Sequence, residues 1–345
     1  MKTRWITLML ATAMVCAGAV RAQEAPSVGA PPVSTAPAPE PEDSGLDNVG
    51  TLKVRVNLVN LYFSVRDKQG YLTNLHKDDC QVFEDREPQT IKAFTQEKNL
   101  PLTIGILLDT SGSMQYVLPL EQQAGAEFLK DVLQPKDEAF LISFDINVDL
   151  LADYTSNPKE LARALNKASI NTGAGTGSAT GNGDPRGTLL YDAVYLGAHD
   201  KLRQEAGRKV LVVLTDGEDQ GSQVKLEGAI EAAQKSNAIV YVILVSDQGG
   251  FSFGSGVQLG GFGPGAMEKL AKETGGRVIN VGKNPRKLQD AFQQISDELR
   301  TQYLLSYTPK NTAMDGTFRK LDVDCGKGTK VQARKGYYAI SDTAQ

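Results

Sequence analysis

Histidine is almost missing from this chain: 345 residues contain two, His76 and His199. With so few, there is no His-Glu-x-x-His zinc motif and no evident base for a serine hydrolase. Basic excess is missing too. Lys and Arg number 37 against 41 Asp and Glu, so no basic stripe recommends nucleic acid as a partner. Beyond residue 22 no stretch reaches the ~18 consecutive apolar residues of a membrane helix. The densest Gly-rich loop, from Gly249 to Gly265, lacks the Gly-Lys-Ser/Thr ending of a phosphate-binding loop. Zinc hydrolysis, nucleotide cradling and nucleic-acid binding are poor readings from the outset.

The first residues carry a different signal. Lys2 and Arg4 precede an apolar stretch from Trp5 to Val20, and Val20-Arg21-Ala22 closes it at the cleavage-type positions. This is a secretory signal pattern, so residues 1–22 are expected to be removed, leaving a secreted or periplasmic protein without a stable membrane span. Cys16 follows Ala13-Met14-Val15, whose bulky last residue argues against lipid attachment. The mature chain keeps 34 basic and 41 acidic side chains, a net charge of about −7 at neutral pH. Two cysteines remain, Cys80 and Cys325. In an exported chain an even pair invites a disulfide; two separate buried thiols are the other reading.

Composition divides the mature chain into segments. Residues 23–50 hold six prolines among Ala, Ser, Glu and Gly with no hydrophobic period, the composition of an extended linker. Residues 51–98 read as β. Val54, Val56, Leu58, Val59 and Leu61 alternate imperfectly with polar residues, and turns come at Asp67–Gly70 and Glu84–Pro88. Between residues 101 and 302 the pattern switches to strand, helix, strand, helix. Strands are expected at Thr103–Leu108, Ala139–Phe144, Val210–Thr215, Ile239–Val245 and Val278–Asn280. Helices are expected at Glu121–Leu133, Pro158–Ala168, Leu189–Glu205, Lys225–Ser236, Ala266–Thr274 and Pro285–Thr301. This alternation predicts an α/β domain with a doubly wound, mostly parallel sheet covered by helices on both faces. Two long Gly-rich loops, Asn171–Gly187 and Gln248–Gly265, interrupt it. Residues 303–341 are β again. If Cys80 bonds Cys325, the two flanks make one small β-sandwich into which the α/β domain is inserted.

The richest stretch is Ile104–Met114, Ile-Gly-Ile-Leu-Leu-Asp-Thr-Ser-Gly-Ser-Met. A buried strand stops at Asp109, and Ser111 and Ser113 come after it at alternate positions. Ligands on open α/β sheets gather beyond the carboxyl ends of such strands. A carboxylate with hydroxyls suits a hard dication such as Mg2+. Further oxygens are expected from Thr188, at the end of the first Gly-rich loop, and from Asp216, where Val212–Thr215 ends before Gly217. Alone, each residue has a plain structural role: serines satisfy turn amides, Thr188 caps a helix, Asp216-Gly217 makes a turn.

Together, Asp109-x-Ser111-x-Ser113, Thr188 and Thr215-Asp216-Gly217 resemble the metal-ion-dependent adhesion site of von Willebrand factor A domains. The flanks, Leu52–Phe94 and Tyr303–Ala339, are similar to the A-domain-related family of secreted acidobacterial proteins. The resemblance implies a Rossmann-like fold and a bound Mg2+, with Mn2+ or Ca2+ as substitutes. It implies direct ligation by Ser111 and Ser113, and direct or water-bridged ligation by Asp109, Thr188 and Asp216. It implies a non-enzymatic adhesion module whose metal bridges to an Asp or Glu of a protein partner. Glu218, Asp219 and Asp145 are expected beside the site rather than as ligands.

Three rival readings compete with this one. Leu-Leu-Asp-Thr-Ser-Gly looks like an aspartic-protease loop, but Ser111 intervenes before Gly112 and the topology is α/β. A hydrolase is remote for want of histidines. A structural role in the cell envelope, with the metal stabilising the fold, is the stronger alternative.

Overall fold

The computed structural model describes residues 58–97, 100–171, 187–245 and 263–340. The expected signal, the proline-rich linker and most of both Gly-rich loops lie outside the described residues.

The amino-terminal flank supplies strands β1 (Val59–Arg66), β2 (Gln81–Glu84), β3 (Glu87–Gln89) and β4 (Ile91–Gln96). The α/β region contains β5 (Leu102–Asp109), α1 (Leu118–Val132), β6 (Glu138–Phe144), β7 (Val148–Thr155) and α2 (Pro158–Leu165). It continues through α3 (Leu190–Leu196), prolonged by a π-helical turn at Gly197–Leu202, then β8 (Arg208–Thr215) and α4 (Leu226–Lys235). β9 (Ala238–Leu244), α5 (Pro264–Thr274), β10 (Val278–Asn280) and α6 (Pro285–Arg300) complete it. The carboxyl flank adds β11 (Tyr303–Tyr307), β12 (Phe318–Asp324), β13 (Lys330–Ala333) and β14 (Gly336–Tyr338).

The central sheet runs β10-β9-β8-β5-β6-β7, parallel except for β7, which pairs antiparallel with β6 at one edge. Its middle strands are continuous apolar runs because helices cover both faces. Alternation decides the destination of each side chain. Ile104, Ile106 and Leu108 of β5 join α1, α2 and α6 in one core, while Leu107 joins α3, α4 and α5 in the other. Gly105 is required by this packing: a Cβ there would lie 2.3 Å from the Phe140 ring and 2.7 Å from Leu211. β7 is not among the strands expected from sequence. Its half-exposed edge, with Leu150 49% exposed, gives no clean apolar signature.

The two flanks interleave. One antiparallel sheet runs β13-β1-β11-β4 and the other β14-β12-β2-β3, each drawing strands from both ends of the chain. Leu61, Phe63 and Val65 of β1 meet Leu305 and Tyr307 of β11, and Val82, Leu321 and Val323 from the second sheet close the same core. The Cys80–Cys325 disulfide lies in that core and joins residues 245 apart in sequence. The α/β region is thus an insertion whose chain leaves through β4 and returns through β11, with Gln96 opposite Tyr303.

Buried Glu298, near the end of α6, ties the insertion to the sandwich. Its carboxylate accepts hydrogen bonds from Ser64 (3.2 Å) and Tyr71 (2.8 Å) of the flank. Tyr241 of β9 and Arg277 each donate to it at 2.9 Å. A buried carboxylate is tolerated when a cation and several donors replace its water, and this one has both.

Candidate metal centre

In the central sheet the chain moves outward from β5 to β6 on one side, then returns to β8 on the other. The order reverses between β5 and β8, and a crevice opens beyond their carboxyl ends. β5 ends there on Asp109. Leu108 pairs with Leu214, so Thr215 lies beside Asp109, and Asp216 comes next at the mouth of the crevice.

Asp109 is fully buried. Its Oδ1 accepts from the Ser111 amide at 3.0 Å and its Oδ2 from the Thr215 hydroxyl at 2.7 Å. The Thr215 hydroxyl in turn accepts from the Gly217 amide at 3.0 Å. Gly217 has φ +88°, the left-handed conformation that turns the chain sharply after Asp216. Ser111 opens a 3-10 turn at Gly112–Met114, which brings its Oγ within 3.1 Å of Ser113 Oγ. Asp216 Oδ1 accepts from the Glu218 amide at 3.1 Å. Thr188 is held by paired backbone bonds with Gln220, 3.1 and 2.9 Å, that clip the end of the first Gly-rich loop to the loop after β8.

Ser111, Ser113, Thr188 and Asp216 line one cavity of about 490 Å3, together with Asp145 and Glu218. Among the described residues no lysine or arginine lines it. Asp109 does not line the cavity; it is buried, bonded to the amide of Ser111, which does. Asp145 is a strut as well as a wall: it accepts from Thr110 Oγ1 at 2.8 Å and from Asn171 Nδ2 at 3.2 Å. Asp219 is buried and accepts from the Tyr191 amide (3.1 Å) and the Ser222 hydroxyl (2.5 Å). It therefore satisfies the first turn of α3, the plain role open to Thr188 from sequence. His199 stacks on Tyr195 and pairs with Asp200 at 2.6 Å, part-exposed and outside the site.

Thr215 stands in the sequence motif as the last residue of a strand, without a role of its own, and sequence reasoning does not single out buried Glu121. Glu121 carries a usable signal, an acid on the apolar stripe Leu118, Gly125, Phe128 and Val132 of α1.

The donor set fits a hard dication. It offers carboxylate and hydroxyl oxygens from three separate loops, and its electrostatics demand positive charge. Burial pushes the Asp109 carboxyl up to about 7 against the opposing bonds from Ser111 and Thr215, with the Asp216 charge adding to the rise. Among the described residues no three His, Cys, Asp or Glu side chains stand close enough to share a metal. From the described residues, hydroxyls would therefore supply part of the coordination.

Titration of Asp109 should set the pH dependence of stability. The unfolded Asp109 ionises near its ordinary 3.8 and the folded one near 7. Between those values the folded protein keeps a proton that the unfolded chain has lost, so metal-free stability falls as pH rises through that window. A bound dication would take the proton's place. The rise in melting temperature given by saturating Mg2+ should be larger at about pH 8 than at about pH 5.5. Equal rises at both would remove Asp109 from the site.

An open, doubly wound sheet with oxygen donors converging at its switch point defines a class of ligand-binding α/β domain. The von Willebrand factor type A domain family model matches residues 103–294, more than half of the chain, and the chain belongs to that family. No curated protein matches it. Among solved structures, BatB from Bacteroides thetaiotaomicron is similar at 20% identity, covering 58% of this chain and 99% of that one, with a TM-score of 0.42. The vWF domain of the type V pili tip protein Mfa5 from Porphyromonas gingivalis is 12% identical, covering 59% and 96%, with a TM-score of 0.43. Proximal thread matrix protein 1 from the mussel byssus, with a zinc-occupied MIDAS motif, is 17% identical over 61% and 48%, with a TM-score of 0.44.

Proposed function

We propose that this chain is an exported, non-catalytic protein-binding module that recognises an acidic residue of its partner through a divalent cation. The observation carrying the proposal is the cavity itself: Ser111, Ser113, Thr188 and Asp216 open on it above buried Asp109, with no basic side chain among the described lining residues. When bound, Mg2+ supplies an electrophilic position for a partner's carboxylate; Mn2+ or Ca2+ could serve in its place. Ser111 and Ser113 are the direct ligands. Asp109, Thr188 and Asp216 act directly or through water, and Thr215 holds Asp109 in place. Two carboxylates among five ligands only just balance a dication and leave it Lewis-acidic, with a coordination position that an incoming Asp or Glu can take from water. Export rests on the sequence of residues 1–22, and residues 101–302 are the proposed A domain between the two β segments. Among the described residues no helix is long and apolar enough to cross a membrane.

The test pairs capture with melting. Immobilised protein should retain a partner from envelope extract in Mg2+ and release it in EDTA, and Asp216→Ala should retain none. Capture indifferent to chelation, together with a large fall in melting temperature on chelation, would transfer the metal to a purely structural role.

A further inference from the structure

A second cavity, of about 410 Å3, opens where the start of β8 meets the end of α4 and strand β14. Among the described residues it shares no lining side chain with the metal centre. Lys209 marks its place at the amino-terminal end of β8, whereas the metal centre lies beyond the carboxyl end. Its charge is opposite as well. Lys209, Lys235, Arg319 and Arg334 line it against one carboxylate, Glu205.

These cations are not equally matched. Glu84 neutralises Arg319 at 3.3 Å inside the sandwich, and Glu231 pairs with Lys235 at 2.6 Å. Arg334 is half-buried and has no such partner. Among the described residues its donors reach only neutral oxygens: Nη2 donates to the Asn60 carbonyl at 2.9 Å and Nη1 to Asn237 Oδ1. A guanidinium carries five donors, so others remain. Lys209 is 8% exposed, and its ammonium donates to the Arg203 carbonyl at 3.3 Å. The two residues belong to one corner. Lys209 lies opposite Ala238 in the β8–β9 ladder, and Asn237, the residue before Ala238, is the one that accepts from Arg334. Burial lowers Arg334 to about 10 and Lys209 to about 8, the latter against the opposing charge of Glu205. Both therefore stay protonated at neutral pH. Cations withdrawn from water are costly unless an anion meets them.

The cavity is larger than a lone inorganic ion requires, since a water molecule takes only about 30 Å3 in the liquid. The rest of its wall is polar and aromatic. The amides of Gln234, Asn237 and Asn311 and the rings of Tyr62 and Tyr338 contribute to it. Amides both donate and accept, which suits hydroxyl groups.

We infer that this cavity binds a small organic anion bearing hydroxyl groups, a sugar acid or a sugar phosphate, whose oxyanion is held by Arg334 and Lys209. Carboxylate and phosphate alike offer the paired oxygens that a guanidinium fork takes. The site needs no metal and stands apart from the function proposed above.

Titration calorimetry of the full chain with glucuronate and with glucose 6-phosphate, both in EDTA, tests this. At least one of the two should bind, and which one does tells whether the corner takes a carboxylate or a phosphate. Neutral glucose and inorganic phosphate should each bind about 10-fold more weakly or worse, having lost half of the recognised groups. Arg334→Gln and Lys209→Gln should each weaken binding about 10-fold or more. Glu205→Gln, which removes the one lining acid, should tighten it. A guanidinium that serves only as a strut would lower the melting temperature of Arg334→Gln and leave its affinity unchanged, which overturns the inference. If Arg334→Gln fails to fold, the opposite shifts expected of Lys209→Gln and Glu205→Gln decide the matter. Wild-type protein that binds neither sugar anion, or binds inorganic phosphate as tightly as either, also overturns it.

Discussion

Magnesium or manganese should leave the melting curve of the Asp109→Ala variant where it was, while moving that of the wild type upward. At a metal concentration about 100 times the dissociation constant, a single site stabilises the folded state by roughly 2.7 kcal/mol, and the variant should lose all of it. The reason lies in the floor of the crevice. Asp109 is one of two carboxylates assigned to the metal, and its oxygens also fix the Ser111 amide and the Thr215 hydroxyl. Alanine removes charge and both acceptors together. The metal-free variant should still fold, because the central sheet is held by the two helix-covered cores, neither of which includes Asp109. The two stranded donors cost about 1–3 kcal/mol each at most, offset in part by the loss of a buried carboxyl. Asp109→Asn, which keeps one acceptor, separates the two effects: it should melt closer to wild type without metal and still respond weakly to it. A wild-type-sized metal response in Asp109→Ala would refute the assignment.

The second large effect belongs to the sandwich. Replacing Cys80 and Cys325 together by alanine should destabilise it by roughly 4 kcal/mol on the chain-entropy view of disulfides. The loop closed by the bond spans 245 residues, yet most of it is the α/β insertion, whose ends leave and return side by side at Gln96 and Tyr303. If the insertion stays folded while the sandwich opens, the flexible part of the loop is only the β segments, and the loss stays at roughly 4 kcal/mol. If both open together the full loop counts and the loss rises to roughly 5.5 kcal/mol. Calorimetry of the double variant with and without Mg2+ distinguishes these cases. Unchanged melting would show that interleaved strands alone hold the flanks.

Much of this architecture is legible in sequence, and the reasons are local. β5, β6, β8 and β9 are unbroken apolar runs because two helical layers cover them, and each ends within a residue of the expected position. The helices announce themselves by period, with Asn157 and Asn284 each accepting from the amides that open α2 and α6. β7 escapes because an edge strand need not be apolar. The pairing of β1 with β11 escapes for another reason. Val59 opposite Tyr307 is a contact between segments far apart in sequence, and nothing local sets such a register. Ser111, Ser113, Thr188 and Asp216 could be proposed together because each sits where a strand or loop ends at the crevice. What Thr215 does required coordinates, because the hydroxyl that donates to Asp109 looks like strand filling in the sequence.

The interleaving of β1 and β11 has a mechanical side. β1 begins at Val59, opposite Tyr307, whereas β11 is entered from the insertion at Tyr303, opposite Phe63, so the amino-terminal ends of the two strands lie at opposite ends of their pairing. With a partner bound in the crevice as proposed, tension between it and the amino-terminal end of β1 would draw the two strands along their lengths in opposite directions. Antiparallel hydrogen bonds lie across the strands, so the pairs from Val59–Tyr307 to Phe63–Tyr303 share that load at once instead of parting in succession.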